Sequence, residues 1–323
     1  MIGAKPEEIY FTSGGSESDN WALMSQAMLH PGGHIITSQV EHHAILNTCK
    51  ALEKLGTQVT YLGVDESGKI NLQELENAIQ PNTFMVSIMA ANNEIGTIER
   101  TKIYGYLCRK KNIIFHTDAV QAMGHIPIDV NKMNIDMLSA SAHKFHGPKG
   151  VGFLYVRDGI RMIPLIHGGQ QESGLRAGTE NVSGIVGLGE AAKIASDNME
   201  RSSMVTERMR EYLIGRITSE IPGVRLNGSR YVRLPNNINI TIDGVDGITA
   251  VMMLSSYGIC VSTGSACTSD SDEPSHVLTA IGLTTEEADC SIRITIDESL
   301  TPQDARYFIE SLKTVVQTIR GNY

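Results

Sequence analysis

The chain has 323 residues, of which 41% are hydrophobic, and a formal charge of −9, so it can bury a large core and does not have the composition of a disordered protein. It has no lysine- or arginine-rich block and no apolar stretch approaching ~20 residues, which argues against nucleic-acid binding and against a membrane span. No secretory pattern begins the sequence, so we expect a cytoplasmic protein whose partners are small molecules and proteins. Five widely spaced cysteines without a Cys-x-x-Cys pair predict neither a disulfide framework nor a zinc ribbon.

The first half of the chain alternates short β-branched runs with helical patterns. Helices are predicted near 17–29, 42–55, 71–79 and 101–111. The predicted strands are His34–Ser38, Gln58–Leu62, Phe84–Met89, Ile113–His116, Met137–Ala140 and Val151–Val156. This order predicts an α/β fold of βαβ units, with a mainly parallel sheet and helices on both of its faces.

A change of pattern follows at Val182, where a segment rich in Ala, Glu, Met and Arg predicts one or two long helices. Beyond it we expect a strand at Ile238–Ile242, a helix at Gly247–Ser256, a strand at Ser291–Ile296 and a helix from Pro302. We therefore predict a large domain over residues 1–200 and a smaller α/β C-terminal domain over 201–323.

A run of small residues, Thr12-Ser13-Gly14-Gly15-Ser16, joins the strand-like Ile9-Tyr10-Phe11 to the first predicted helix. Free backbone N–H groups at a helix N-terminus can hold a phosphate, which makes Gly15 and Ser16 candidate phosphate ligands. Ser16 and Asp19 also fit an ordinary capping box, so both interpretations stay open.

Two polar motifs follow neighbouring predicted strands. Asp118 comes after Ile113–His116, and Lys144 comes shortly after Met137–Ala140, so both belong at the carboxyl edge of the sheet, where ligands of open α/β folds collect. A carboxylate there can pair with a protonated pyridine nitrogen, and a desolvated lysine can form a Schiff base. Taken singly, Asp118 could equally cap a helix and Lys144 could lie in a surface turn.

Together, a phosphate cradle, an acid after one strand and Ser-x-His-Lys after the next form the arrangement of fold-type I enzymes that use pyridoxal 5'-phosphate (PLP). Lys144 is then the lysine that holds PLP. His42, between a predicted strand and helix, could stack on the pyridine ring and move protons.

At this point the sequence resembles the NifS/IscS-like cysteine desulfurases, from Phe11 to the C-terminal helix. The shared motifs are Thr-Ser-Gly-Gly-Ser-Glu-Ser-Asp-Asn (12–20), Glu41-His42, Asn92-Asn93-Glu94-Ile95-Gly96, Asp118-Ala-Val-Gln121, Ser141-Ala-His-Lys144 with Phe-His-Gly-Pro-Lys-Gly150, Arg176-Ala-Gly-Thr179 and Ser262-Thr-Gly-Ser-Ala-Cys267-Thr-Ser269. Such a set in one order is highly specific.

The resemblance implies a role for each matching residue. Asp118 would pair with the pyridine nitrogen, Gln121 would contact the phenolic oxygen of the ring, and His42 would stack above it. The phosphate would be held by Gly15, Ser16, Ser141 and His143, with Thr179 reaching the phosphate of a partner subunit in a homodimer. Asn93 and Arg293 would receive the substrate carboxylate.

Cys267 determines the reaction that the resemblance implies. A thiolate in this loop rich in Gly, Ser and Thr can act as nucleophile and sulfur carrier. L-cysteine would yield L-alanine and a persulfide on Cys267. The sulfur would then pass to an acceptor protein, such as an iron–sulfur scaffold, for iron–sulfur cluster assembly or tRNA thiolation.

The sequence departs from the family pattern in one respect, and other functions are also compatible with its motifs. The family normally has an N-terminal segment with an Asp-Asn-Ala-Ala-Thr-Thr type motif, and the sequence contains no counterpart, which bears on the expected activity. A selenocysteine lyase or another PLP β-lyase, or a degenerate homologue that only binds a scaffold protein, are the alternative functions. No metal site is predicted, because Gly147-Pro148 would end any helix carrying His143 and His146 on one face.

Overall fold

A computed structural model describes residues 1–264 and 274–321 of the chain. These residues form two compact units: a larger unit of residues 1–63, 70–92 and 99–199, and a smaller unit of residues 64–69, 93–98 and the chain from Glu200 on. The division falls within a single long helix, α5 (Val182–Glu220). Because compactness alone does not show independent folding, the domains 1–200 and 201–323 stay a prediction.

Seven strands form one sheet in the larger unit, all of whose residues are described. The strands are β1 (Ile9–Thr12), β2 (His34–Ser38), β3 (Gln58–Leu62), β4 (Thr83–Ser87), β5 (Ile114–Asp118), β6 (Met137–Ser141) and β7 (Gly152–Val156). Their order is β1-β7-β6-β5-β4-β2-β3, with β2 to β6 mutually parallel and β7 antiparallel to both β6 and β1. The prediction of a mainly parallel α/β sheet is confirmed.

Helices alternate with these strands along the chain. They are α1 (Gly15–Leu29), α2 (His43–Lys54), α3 (Leu72–Ala78) and α4 (Thr101–Lys111), followed by the first part of α5. Strands β2, β4 and β6 are buried at every position, as expected for parallel strands that are covered on both faces, and so is the antiparallel β7. Trp21 of α1 is fully buried in this core, and its indole N–H donates to the Ile163 carbonyl at 2.8 Å.

The smaller unit contains a three-stranded antiparallel sheet in the order β10-β9-β8. Its described elements are β8 (Val224–Leu226), β9 (Asn237–Ile242), α6 (Gly247–Ser256), α7 (His276–Ala280), α8 (Thr285–Asp289), β10 (Ser291–Thr295) and α9 (Pro302–Gly321). Alternate residues of a strand face opposite sides of the sheet. Ile238, Ile240 and Ile242 accordingly lie in the core that includes residues of α9, while Asn237 and Asn239 lie on the other face.

Most predicted elements agree with the structure to within two residues at each end. The strand β8 and the short helices α7 and α8 were not predicted from the sequence. Within the described ranges, no helix is both long enough and apolar enough to span a membrane.

Candidate active site

The loop between β1 and α1 is a turn that depends on glycine. Gly14 has φ 154° and ψ −173°, a conformation that side-chain-bearing residues rarely adopt. A Cβ on Gly152 of β7 would lie 2.7 Å from Gly14 Cα, so the two backbones approach too closely for larger residues. Gly14 O accepts hydrogen bonds from the Ser18 backbone N–H at 3.2 Å and from Ser18 Oγ at 3.1 Å. The loop therefore holds the N-terminus of α1 in a fixed orientation.

Arg176 supports the outer side of this loop through Glu17. The guanidinium donates to both Glu17 carboxylate oxygens, at 2.9 and 3.1 Å, and the Ser13 N–H also donates to Glu17 at 2.8 Å. Burial acts to raise the pKa of Glu17, but these hydrogen bonds hold it below its usual value. Thr179, three residues after Arg176, is exposed and lines a surface pocket together with Thr12, Ser13 and Arg176.

The ends of β5 and β6 lie beside this loop. Asp118, the last residue of β5, is buried, pairs in register with Ser139 of β6 and accepts a hydrogen bond from Val120 N at 2.8 Å. A Cβ on Gly15 would lie 2.5 Å from Val120 Cγ2, and one on Gly14 would lie 3.5 Å from Ser141 Oγ. The small residues of the loop thus let the first turn of α1 pack against both strand ends.

Lys144 lies in a single turn of 3-10 helix, Ala142–Phe145, directly after β6. Ser141 Oγ and His143 Nδ1 are 2.9 Å apart, and His125 Nε2 lies 3.2 Å from the Lys144 carbonyl oxygen. Burial raises the pKa of Asp118 to about 6, while the positive charge of Lys144 acts to lower it. The lysine and the buried acid therefore influence each other electrostatically.

A buried polar network lies behind Asp118. Its centre is His116, whose Nδ1 is 2.8 Å from Ser87 Oγ and whose Nε2 is 3.0 Å from Ser139 Oγ. Asp19 Oδ1 lies 3.8 Å from the same Nε2. Burial lowers the pKa of His116 to about 3, and burial together with the charge of Asp118 raises the pKa of Asp19 well above its usual value. Both shifts favour the neutral forms of these side chains.

The sequence analysis names Asp19 and Glu41 within motifs but did not predict that these two acids are buried in this region. Glu41 accepts from Ser38 Oγ at 2.7 Å and from Met89 N at 3.0 and 3.1 Å, and burial raises its pKa to about 8. The sequence carries one signal for Asp19, since it lies four residues before Leu23 on the buried side of α1. For Glu41, which precedes α2 and bonds a residue after β4, we find no such signal.

His42 is the N-cap residue of α2, and its Nδ1 accepts a hydrogen bond from the Ala44 N–H at 3.1 Å. The lone pair on Nδ1 is used in this bond, which leaves Nε2 as the nitrogen that carries or releases a proton. Gln121 lies half-buried in the turn after β5, and Ser16 is exposed in the first turn of α1. The predicted roles of these three residues stay predictions.

Asn93 and Arg293 are brought together in the smaller unit. Arg293, in the middle of β10, donates from Nη1 to the Asn93 carbonyl oxygen at 2.9 Å. Asn93 and Arg293 are each partly exposed as residues, although Arg293 Nε is buried. Cys267 lies outside the described residues.

The family is shown by comparison with known proteins. A family model described as "Aminotransferase class-V" matches residues 1–308. The chain belongs to this family. Cysteine desulfurase IscS of Clostridium botulinum (strain Hall) is 51% identical over 323 residues, which cover 99% of this chain and 81% of that protein. Cysteine desulfurase IscS of Methanosarcina thermophila is 50% identical over 322 residues, covering 99% and 80%.

Solved structures agree with this assignment. A structure described as a NifS-like protein has a TM-score of 0.92 and 40% identity, covering 98% of this chain and 84% of that one. A second, described as SspA in complex with cysteine, has a TM-score of 0.80 and 43% identity, covering 91% and 83%. The resemblance to NifS/IscS-like cysteine desulfurases and the prediction of fold type I are confirmed.

Class-V aminotransferases and cysteine desulfurases use PLP, so the prediction of this cofactor is also confirmed. The residues of the larger unit fit it. Burial makes the Asp118 carboxylate costly to ionise, and a protonated ring nitrogen beside it would offset that cost. Gly14, the N-cap residue of α1, has no side chain with which to cap the first turn, whose backbone N–H groups can donate to a phosphate. The charge of Lys144 also acts on Asp118. The individual ligand assignments stay predictions.

Proposed function

We propose that this class-V aminotransferase-family chain is a PLP-dependent cysteine desulfurase that converts L-cysteine to L-alanine and transfers its sulfur to Cys267. The observation that carries the proposal is the placement of Lys144 and the buried Asp118 directly after adjoining strands, in a chain 51% identical to a protein named cysteine desulfurase IscS. The neighbour described as SspA in complex with cysteine supports L-cysteine as the substrate.

Three residues of the larger unit would act on the bound cofactor. When bound, PLP supplies an electron sink that stabilises negative charge next to the substrate amine carbon. Lys144 would hold it covalently and Asp118 would keep its ring nitrogen protonated. His42 would move protons through Nε2, because its Nδ1 is engaged by the Ala44 N–H at 3.1 Å.

The carboxylate of L-cysteine would be bound by Arg293 and by the side chain of Asn93. The guanidinium already donates to the Asn93 carbonyl oxygen at 2.9 Å, a contact that holds the two residues in one orientation. A fixed guanidinium binds a carboxylate with less loss of side-chain entropy than a mobile one.

The sulfur-transfer step follows from the chemistry of a thiolate. The Cys267 thiolate attacks the substrate sulfur, an S–S bond forms, and the substrate Cβ–S bond breaks with its electron pair left on Cβ. A proton then converts that carbon to the methyl group of alanine. Burial raises the pKa of Cys49 and of Cys108 to about 12, so neither supplies a thiolate near neutral pH.

The persulfide sulfur would then pass to an acceptor protein, which we propose is an iron–sulfur scaffold or a tRNA-thiolation protein. We propose that this occurs in the cytoplasm. A persulfide is an electrophilic and easily reduced group, so its transfer requires direct contact between the two proteins rather than diffusion of free sulfide.

A homodimer is the proposed assembly, and exposed apolar residues on α5 support it. Val182 is 64% exposed, Val186 is 66% exposed and Ile194 is 55% exposed, and all three lie on one side of the helix. Thr179, which the resemblance assigns to a partner's phosphate site, directly precedes this helix. Apolar side chains grouped in this way are typical of surfaces that a partner covers.

Val186→Glu should therefore weaken the dimer at least about tenfold, because a charge would be buried in each copy of a symmetric interface. Sedimentation velocity over a range of protein concentrations measures the change. Ile248→Glu, at a residue that is 58% exposed on α6, is the matched control and should leave the dimer intact. A wild-type monomer, or equal dissociation of both variants, would contradict the proposal.

The proposed reaction is tested directly with the PLP-loaded wild-type protein. With L-cysteine and a thiol reductant, the enzyme should form L-alanine and sulfide in equal amounts. Without the reductant, mass spectrometry should find one added sulfur atom on the Cys267 peptide. L-selenocysteine is assayed in parallel. Alanine formation from L-selenocysteine alone would favour a selenocysteine lyase instead.

A further inference from the structure

His116 lies in the middle of β5, and its imidazole is hydrogen-bonded to side chains of both neighbouring strands. Nδ1 lies 2.8 Å from the Oγ of Ser87, the last residue of β4, and Nε2 lies 3.0 Å from the Oγ of Ser139 on β6. All three residues are fully buried. The imidazole therefore links the side chains of β4, β5 and β6 where water does not compete for these bonds.

This link lies directly behind the residues that are candidates for holding the cofactor. His116 and Asp118 are two apart on β5, so their side chains share one face of the strand. Asp118 pairs in register with Ser139, which shares its face of β6 with Ser141. Ser141 is the last residue of β6 and precedes the turn that carries Lys144. The bond between His116 and Ser139 therefore affects the positions of Asp118 on one strand and Ser141 on the next.

The imidazole of His116 is also suited to this place by being uncharged. Burial lowers its pKa to about 3, and Asp19, whose Oδ1 lies 3.8 Å from Nε2, has a pKa well above its usual value. A positive imidazolium on the same face as Asp118 would compete with a protonated ring nitrogen for that carboxylate. A neutral imidazole supports the strand ends and leaves the charge of Asp118 to the cofactor.

His34 has the same kind of bonding at the opposite edge of the sheet. Its Nδ1 lies 2.8 Å from Thr83 Oγ1 and its Nε2 lies 2.8 Å from Thr60 Oγ1, and the residue is buried. It is the first residue of β2, which runs parallel to β5, so it lies at the amino ends of the parallel strands. The two histidines thus differ in their distance from Asp118 but not in the kind of bonds that they make.

We propose that His116 is a positioning residue for PLP. Its neutral imidazole holds β5 and β6 at the separation at which Asp118 and Ser141 contact the cofactor together. This inference rests on the proposed function, in which Asp118 pairs with the ring nitrogen. It gives His116 a role that is distinct from the proton transfer proposed for His42.

The first test compares His116→Phe with His34→Phe, each loaded with PLP. His116→Phe removes both side-chain bonds beside the cofactor residues, so PLP should dissociate at least about tenfold faster than from wild type. His34→Phe makes the same chemical change at the opposite edge, so PLP dissociation should stay within about twofold of wild type although thermal stability falls in both variants. The decay of the visible cofactor absorbance during dialysis measures dissociation, and a thermal unfolding curve measures stability.

A milder pair of variants gives the answer if His116→Phe does not fold. Ser139→Ala removes one of the two bonds of His116, and Thr60→Val removes the corresponding bond of His34. Ser139→Ala should release PLP at least about threefold faster than wild type, while Thr60→Val should release it at the wild-type rate. In a folded double variant, Ser139→Ala should add nothing to the effect of His116→Phe, because both changes break the same bond.

The positioning role would be overturned by equal rates of PLP release from the variants of a pair, or by additive effects in the double variant. None of these measurements requires turnover of L-cysteine. A wild-type protein that retains PLP and shows the expected differences, but forms no alanine from L-cysteine, would therefore overturn only the proposed reaction.

Discussion

Lys144→Ala is expected to lower alanine formation from L-cysteine by at least about a thousandfold, because the variant loses both the covalent link to PLP and a group that moves protons. The electrostatic influence of Lys144 on Asp118 supports this expectation, since the Lys144 charge acts to lower the pKa of that buried acid. The visible absorbance of the bound cofactor should also be lost after dialysis. Both are measured on the purified variant after incubation with excess PLP.

Lys149→Ala is the matched control for this prediction. Lys149 lies five residues further along the chain and is exposed, so its removal should leave absorbance and activity within about twofold of wild type. Retention of a dialysis-resistant absorbance band in Lys144→Ala, with normal turnover, would show that another lysine holds the cofactor.

The elements that were predicted correctly are those whose sequence pattern is local. The helix at 101–111 has the same ends in prediction and structure, as do the strand His34–Ser38 and the helix Gly247–Ser256. Each has a continuous pattern with polar or glycine residues beside it, so neighbouring residues alone specify it. The sequence therefore predicts the order of the elements well.

The missed elements depend on distant partners. Val224–Leu226 has three residues and pairs antiparallel with β9, which supplies its hydrogen bonds. The sheet order is non-local in the same way, because β1 lies beside β7, more than a hundred residues away along the chain. Short strands and strand order are fixed by such pairing rather than by periodicity.

In the candidate site too, the residues that follow a local pattern were predicted and those that depend on distant partners were not. Asp118 and Lys144 were predicted because each follows a recognisable strand, and carboxyl ends of neighbouring parallel strands meet at one edge. The place of Asp19 in a buried network was not predicted, since His116, whose Nε2 lies 3.8 Å from Asp19 Oδ1, belongs to a strand far along the chain.

Cys267→Ala is expected to lower sulfur transfer from L-cysteine to less than about one-thousandth of the wild-type rate, because no other group replaces an absent nucleophile. Cofactor absorbance, and its change when L-cysteine is added, should persist, since Lys144 and Asp118 are intact. Sulfide release under a thiol reductant and alanine formation, each measured at several enzyme concentrations, check the first expectation.

Cys260→Ala provides the control, because Cys260 is an exposed cysteine of the same smaller unit. It should transfer sulfur at close to the wild-type rate and still acquire the persulfide on Cys267. If Cys267→Ala retained full activity while Cys260→Ala lost it, the sulfur carrier would be Cys260. If both variants still released sulfide but formed pyruvate and ammonia in place of alanine, the C–S bond would be broken by elimination, as in a PLP β-lyase. The two variants together therefore distinguish a desulfurase that carries sulfur on Cys267 from an enzyme that shares its cofactor chemistry but not its sulfur transfer.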